Sequence, residues 1–182
     1  MSKLLNKWYV FIIWLLISIF ISIWSVDIKT NYKKEEVISI FISANSFNDE
    51  EIKAKLTSEK KGNIKEVYIK CVQINDPNYF LAYSTFGTEN SDLLILKIDM
   101  FDDETIKQFY FIEEMEHSLY DLYKIDDKPY GIIIHAKDNT HKNEIIEYDD
   151  SDYVLVVNPN SVHINNKEIL IDYIDLLKEY VW

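Results

Sequence analysis

Residues 152–182 read DYVLVVNPNSVHINNKEILIDYIDLLKEYVW: a run of β-branched and apolar residues, a polar turn of Asn, Pro and Ser, then apolar positions at helical spacing. The pattern predicts a strand, a sharp turn and a closing helix. What that strand joins depends on the segments before it.

Those segments alternate. VISIFISA (37–44), EVYIKCVQI (66–74), SDLLILKID (91–99) and the apolar end of YKIDDKPYGIIIHA (123–136), where a turn precedes it, each read as a buried strand. Between the first two, NDEEIKAKLTSEKKG (48–62) carries acids in its first turn, Lys60 and Lys61 in its last and Gly62 as a C-cap, while Asn45, Ser46 and Asn48 supply turn and capping chemistry. DPNYFLAYSTFG (76–87) puts Pro77 at the first helical position and reads as a short helix closed by Gly87. DDETIKQFYFIEEMEHSLY (102–120) opens with three acids and continues as an amphipathic helix. Alternating strands and helices imply βαβ units. The expectation is a single three-layer α/β/α domain over 37–182 with a mostly parallel five-stranded sheet.

The chain has 182 residues, 48% of them hydrophobic, which is enough for one modest core plus an appendage. Its 19 basic residues are all lysines and face 31 acids, for a net charge of −12. That balance argues against nucleic acid, whose phosphates need Lys and Arg to neutralise them. Cys71 is the single cysteine, so an intramolecular disulfide and a multi-thiolate metal site are both excluded; in its apolar strand it reads as a small buried hydrophobe.

From Trp8 to Val26 nineteen residues carry no charge, about the length a bilayer-spanning helix requires, with Trp8, Tyr9 and Trp24 at the two ends where aromatic rings favour the interface. Ile23-Trp24-Ser25 offers a small residue at a possible cleavage site, but the run exceeds the roughly 7–15 residues of a signal-peptide core, which favours an uncleaved anchor. The organisation expected is a short tail (1–7), a transmembrane helix (8–26), a polar tether (27–36) and the domain (37–182). Lysines flank the span on both sides and leave orientation open. The segment behind it holds 17 lysines and all 31 acids, −14 in net charge, and so large an acidic domain points to the extracytoplasmic face of the cell membrane, single-pass.

Catalytic signatures are absent from the sequence. With only Gly62, Gly87 and Gly131, there is no P-loop, no GxGxxG and no GxSxG elbow. Glu113 and His117 stand at i, i+4, but no HExxH accompanies them, so no metal and no cofactor is expected. The aspartate pairs 102–103, 126–127 and 149–150 fall at turns or helix starts, where aspartates cap. What remains is the rule that open α/β sheets bind ligands beyond the carboxyl ends of their strands. That rule selects Ser43, Asn45 and Ser46 after the first strand, Asp99 in the 99–101 loop after the third, and His135 in the 135–138 loop after the fourth.

Three stretches together resemble one lobe of the extracellular solute-binding proteins of ABC importers, type 2 periplasmic-binding-protein-like in fold. NYFLAYSTFGTENSDLLIL resembles that family's helix and strand joined through Ser-Asp. IDDKPYGIIIHA is similar to its dGKxYGxP turn and strand, with Asp127, Lys128, Tyr130 and Gly131 matching and Ile133 in place of the proline. YVLVVNPNSVHINNKEILIDYIDLL looks like the segment re-entering the first lobe, which implies that the strand of the opening stretch runs antiparallel to its neighbours. The family's second lobe is replaced by a short connection from Lys137 to about Ser151, and no cysteine follows the hydrophobic segment to take a lipid. The resemblance implies a membrane-anchored, solute-binding-protein-like module that is not an enzyme. Its partner would be a small solute, an ABC permease or another protein. The alternative is a structural or regulatory membrane protein that keeps only the fold.

Overall fold

The computed structural model describes residues 12–18, 32–113, 115, 120–135 and 145–180, which fall into two units, Met1–Lys33 and Lys34–Trp182. In the first unit residues 12–18 are helical and expose Ile13, Trp14, Leu15, Leu16 and Ile17. Among the described residues no helix is long and apolar enough to cross a membrane. Most of the 8–26 stretch lies outside the described residues.

The second unit is a mixed α/β domain. A short 3₁₀ turn, Lys34–Glu36, leads into strand β1 (Val37–Ala44), then β2 (Ser46–Phe47), helix α1 (Asp49–Ser58) and β3 (Glu66–Gln73). Helix α2 (Tyr79–Ala82) runs directly into a π-helical turn (Tyr83–Thr88), followed by β4 (Leu93–Lys97), a 3₁₀ turn (Ile98–Met100) and α3 (Asp103–Ile106). Strands β5 (Leu122–Ile125), β6 (Lys128–Ile134), β7 (Ile146–Glu147) and β8 (Tyr153–Val157) precede α4 (Lys167–Tyr180).

The main sheet has six strands in the order β3-β1-β4-β8-β6-β5, and β2 pairs separately with β7. Strands β1, β3, β4 and β6 share one direction, while β8 and β5 oppose it. The expectation of five strands with mostly parallel pairing is therefore corrected: only β1–β3 and β1–β4 pair parallel, and the other three contacts of the sheet are antiparallel. The extra strand is β5, which forms a two-residue hairpin with β6 through Asp126 and Asp127, at φ +52° and +65°. Both residues in the left-handed region give the turn whose twist suits a hairpin. Strand β8 is antiparallel to both β4 and β6, as the resemblance implies.

Alternation along the strands divides the core in two. Ile38, Ile40, Ile42, Leu93, Ile95, Tyr153, Leu155 and Val157 face α1 (Ile52, Leu56) and the buried stripe of α4 (Ile169, Leu170, Tyr173, Ile174, Leu177). Phe41, Leu94, Leu96, Val154 and Val156 face Tyr79, Ile106 and Phe109 on the other side. With both faces covered, β8 buries all five of its residues, as its uninterrupted apolar run requires. The exposed edge at β3 is blunted by Glu66, Tyr68 and Lys70, which alternate with buried Val67 and Cys71.

Local chemistry accounts for the helix boundaries. Asn48 caps α1, its side-chain oxygen accepting from the Glu51 amide at 3.3 Å, and Asp102 caps α3 by accepting from Thr105 at 2.9 Å. The long helix expected over 102–120 is not formed in its described part: α3 is a single turn, and Tyr110 makes a bridge to Val157, donating its amide to the Val157 carbonyl at 2.9 Å. The run Phe109-Tyr110-Phe111-Ile112 is aromatic and β-branched, a composition that favours extended pairing over helix.

At the amino ends of β1 and β4 sits a buried polar knot. Asp92 accepts from the Ser39 amide at 2.7 Å and from the Ser161 hydroxyl at 2.6 Å, and Ser161 in turn accepts from the His163 amide at 3.0 Å. The His163 ring nitrogen Nε2 lies 2.8 Å from the Val37 carbonyl. These bonds tie the turn after β8 to the first strand. Burial raises the Asp92 carboxyl above its ordinary value, against the downward pull of Ser161, Ser39 and His163.

Candidate ligand groove

The carboxyl ends of β1, β3, β4 and β6 lie along one edge of the sheet, and residues 145–152, the described part of the connection before β8, lie at that edge. They are pinned there by β7. Ser46 and Phe47 pair with Glu147 and Ile146, the Asn45 amide donates to the Glu147 carbonyl at 2.9 Å, and Asn48 donates to Ile145 at 2.8 Å. Farther along, Asp149 binds Lys97 and accepts from the Tyr153 hydroxyl at 3.1 Å. Burial works to raise the Asp149 carboxyl, but Lys97, the Ser151 amide and Tyr153 outweigh it and hold it below the usual aspartate value.

The selected residues differ in what engages them. Ser43 is fully buried and shares a hydrogen bond of 2.7 Å with the Tyr79 hydroxyl, which burial pushes up to about 12 while Ser43 pulls it down. Asn45 and Ser46 are engaged by β7, Ser46 donating to the Glu147 carboxylate at 2.8 Å. Asp99 and His135 remain on the open part of the edge. The structure thus brings two of the five together and separates the other three from them.

Two shallow grooves meet at Asp99. One, about 830 Å³, is bordered by Asp99, Asp121, Tyr123, His135, Ser151 and Asp152. His135 lies between two carboxylates, with Nδ1 3.2 Å from Asp152 and Nε2 3.5 Å from Asp121. The other, about 570 Å³, is lined by Phe80, Tyr83, Phe101, Met100, Asp99, Asp102 and Thr105. Phe80 and Tyr83 are three residues apart across the junction of α2 with the π-turn, so they lie on one face. Phe101 stands 4.8 Å from the Tyr83 ring and 6.4 Å from Phe80, and Tyr83 packs edge-on against core Phe41 at 6.2 Å. The π-turn can press close because Gly87 has no side chain: a Cβ there would stand 3.2 Å from Leu94 and 3.3 Å from Tyr83.

The strand-end rule located the loop carrying Asp99 and Phe101 but missed Phe80 and Tyr83, which reach the same edge from a helix. Two aromatics at i, i+3 after Asp-Pro were the available signal.

Asp92, Ser161 and His163 come nearest to a catalytic set: the Ser161 hydroxyl donates to Asp92, but the imidazole faces the Val37 carbonyl and His163 meets Ser161 through its backbone amide, so the three are not arranged as a nucleophile, imidazole base and orienting acid. Among the described residues no group of three His, Cys, Asp or Glu side chains could hold a metal ion; the Glu113–His117 pair falls partly outside them, as does His141. Burial pushes the Cys71 thiol well up, with Asp49 adding to the effect. We expect Cys71 to resist a thiol-reactive disulfide reagent at neutral pH for hours while the chain is folded and to react stoichiometrically within minutes in denaturant. Fast labelling of the native protein would contradict its burial. Compared with known proteins, the chain matches no family model, no curated protein and no solved structure.

Proposed function

We propose that the chain is a membrane-anchored, extracytoplasmic binding module: a single solute-binding-protein-like lobe that takes a small solute at the carboxyl edge of its sheet. The observation that carries this reading is the open groove of aromatic and carboxylate side chains around Phe80, Tyr83, Phe101 and Asp99, at the place where α/β sheets present ligands. Supporting the family likeness are the antiparallel β8 inserted between β4 and β6 and the close approach of Gly131, from the Tyr-Gly pair, to β8. Supporting the anchor are the uncharged stretch 8–26 and the apolar side chains exposed along 12–18.

A thermal-shift panel of sugars, amino acids and short peptides on the full chain in non-ionic detergent tests the reading. At least one class should raise the melting temperature with a saturable dependence on concentration. Flat curves throughout would sink solute binding.

A protein partner, such as an importer permease, is the second reading. It is favoured by Phe80 and Leu81, which are 59% and 61% exposed beside the groove. In-cell cross-linking that recovers one stoichiometric membrane partner would favour it.

A further inference from the structure

We propose that the aromatic groove selects an organic cation, a ligand whose protonated amine or quaternary ammonium lies against Phe80, Tyr83 and Phe101 with its charge answered by Asp99. This rests on the solute-binding reading above and narrows it to a class of ligand.

Charge complementarity comes first. Among the described residues no lysine lines the groove, while two carboxylates do. Neither Asp99 nor Asp102 has an ion-pair partner among the described residues: nearby Lys97 is engaged by Asp149, and Lys107 by Glu104 and Asp126 at 3.0 and 3.6 Å. Each keeps one oxygen to which no described residue donates, and they differ in the donors already held by the other. Asp102 is occupied as a helix cap, one oxygen accepting from both the amide and the hydroxyl of Thr105. Among the described residues Asp99 accepts from the Ser151 hydroxyl alone, at 3.0 Å through Oδ2.

The hydrogen-bond inventory then discriminates among ligands. The polar side chains lining the groove are two carboxylates, which only accept, a threonine whose hydroxyl already donates to Asp102, and the Tyr83 phenol. An anion would find negative charge and almost no donor. A cation brings donors or positive charge to meet acceptors, and the negative faces of the three rings add to the attraction. Ring centroids 4.8 and 6.4 Å apart gather Tyr83, Phe101 and Phe80 into one aromatic cluster along the groove wall beside Asp99. The net charge of −12 draws such ligands toward the surface in general, and the rings make this one place selective.

The test titrates choline and 1,5-diaminopentane into the full chain in non-ionic detergent, with sodium chloride at matched ionic strength and methyl β-glucoside as comparisons. The melting temperature should rise by about 3 °C near saturation with either cation and with neither comparison compound. Phe80→Ala and Asp99→Asn should each weaken the half-saturating concentration about tenfold without lowering the ligand-free melting temperature, because Phe80 is largely exposed and Asp99 sits in a surface turn. A shift with the glucoside but not with the cations would overturn the cation assignment and leave the binding module standing. Cation shifts unchanged in both variants would overturn the assignment to this groove. No shift with any compound, here or in the wider panel, would overturn both readings.

Discussion

Replacing Gly131 by alanine is expected to lower the unfolding free energy by about 3 kcal/mol, at the upper end of what a single added methyl does in a packed interior. A Cβ built on Gly131 would lie 2.6 Å from Val154 Cγ2, 2.7 Å from the Leu155 carbonyl oxygen and 3.0 Å from Val156 Cγ1. The side chains could rotate away. The carbonyl could not, since β8 is held between β4 and β6 by ladders on both sides. Relief would require β6 to move off β8, loosening the pairs Ile132–Leu155, Ile133–Val154 and Ile134–Tyr153 together. Urea unfolding followed by far-ultraviolet circular dichroism measures the change. A loss below about 0.5 kcal/mol would show that the two strands are farther apart than described. Gly62→Ala should cost less, about 1 kcal/mol, because that glycine needs only its positive φ of 58° and its nearest neighbour, Ile169 Cγ1, would be 3.4 Å away.

Removing the Asp92 carboxylate is expected to cost a similar amount, about 3 kcal/mol for Asp92→Ala, through a different mechanism. The substitution strands the half-buried Ser39 amide and Ser161 hydroxyl, both of which now donate to a single carboxylate. Asp92→Asn keeps the shape and an acceptor, and should cost about 1–2 kcal/mol. It should also change the pH dependence. In the folded chain the Asp92 carboxyl is raised above its ordinary 3.8, so the folded state binds this proton more readily than the unfolded state. Its contribution therefore makes stability rise as pH falls from the raised value toward 3.8 and makes no further change below that. Asp149 acts oppositely and in a separate window: its carboxyl is depressed, so its stabilisation is complete above 3.8 and is lost as pH falls through the depressed value. Stability curves of the native chain and Asp92→Asn should thus differ in slope between pH 3.8 and the raised value and run parallel outside that window. Parallel curves throughout would exclude Asp92 as the titrating group.

How far the sequence carried these features depended on whether local chemistry or tertiary contact set them. Strands β1, β3, β4, β6 and β8 were legible because each is an apolar run bounded by turn residues, and α1 and α4 because their buried positions recur at helical spacing. The hairpin of β5 was hidden because its turn is Asp126-Asp127, without the glycine that marks such turns. The run 107–113 misled because its apolar residues also fit a helix, and only the bridge of Tyr110 to Val157, distant in sequence, decides against it. Of the site, Asp99 and His135 followed from strand ends. Ser43, Asn45 and Ser46 sit at an equally valid strand end, but Ser43 is buried and the pairing of β2 with β7 engages Asn45 and Ser46, and a two-residue strand such as Ile146–Glu147 leaves no periodic trace.

The position of β8 also fixes a schedule. Strands β4 and β6 touch only through it, and in the ladder Leu93 waits for Val157, roughly sixty residues farther along the chain. At the usual synthesis rate of about 5–20 residues per second, the apolar flank of β4 emerges some 3–12 seconds before its partner does. During that interval the border of β4 is unsatisfied, and that of β6 joins it once Lys128–Ile134 has emerged. The domain is therefore committed to forming late and all at once, and the same central strand that completes the sheet sets the period in which the chain is most exposed to misassembly and to proteases.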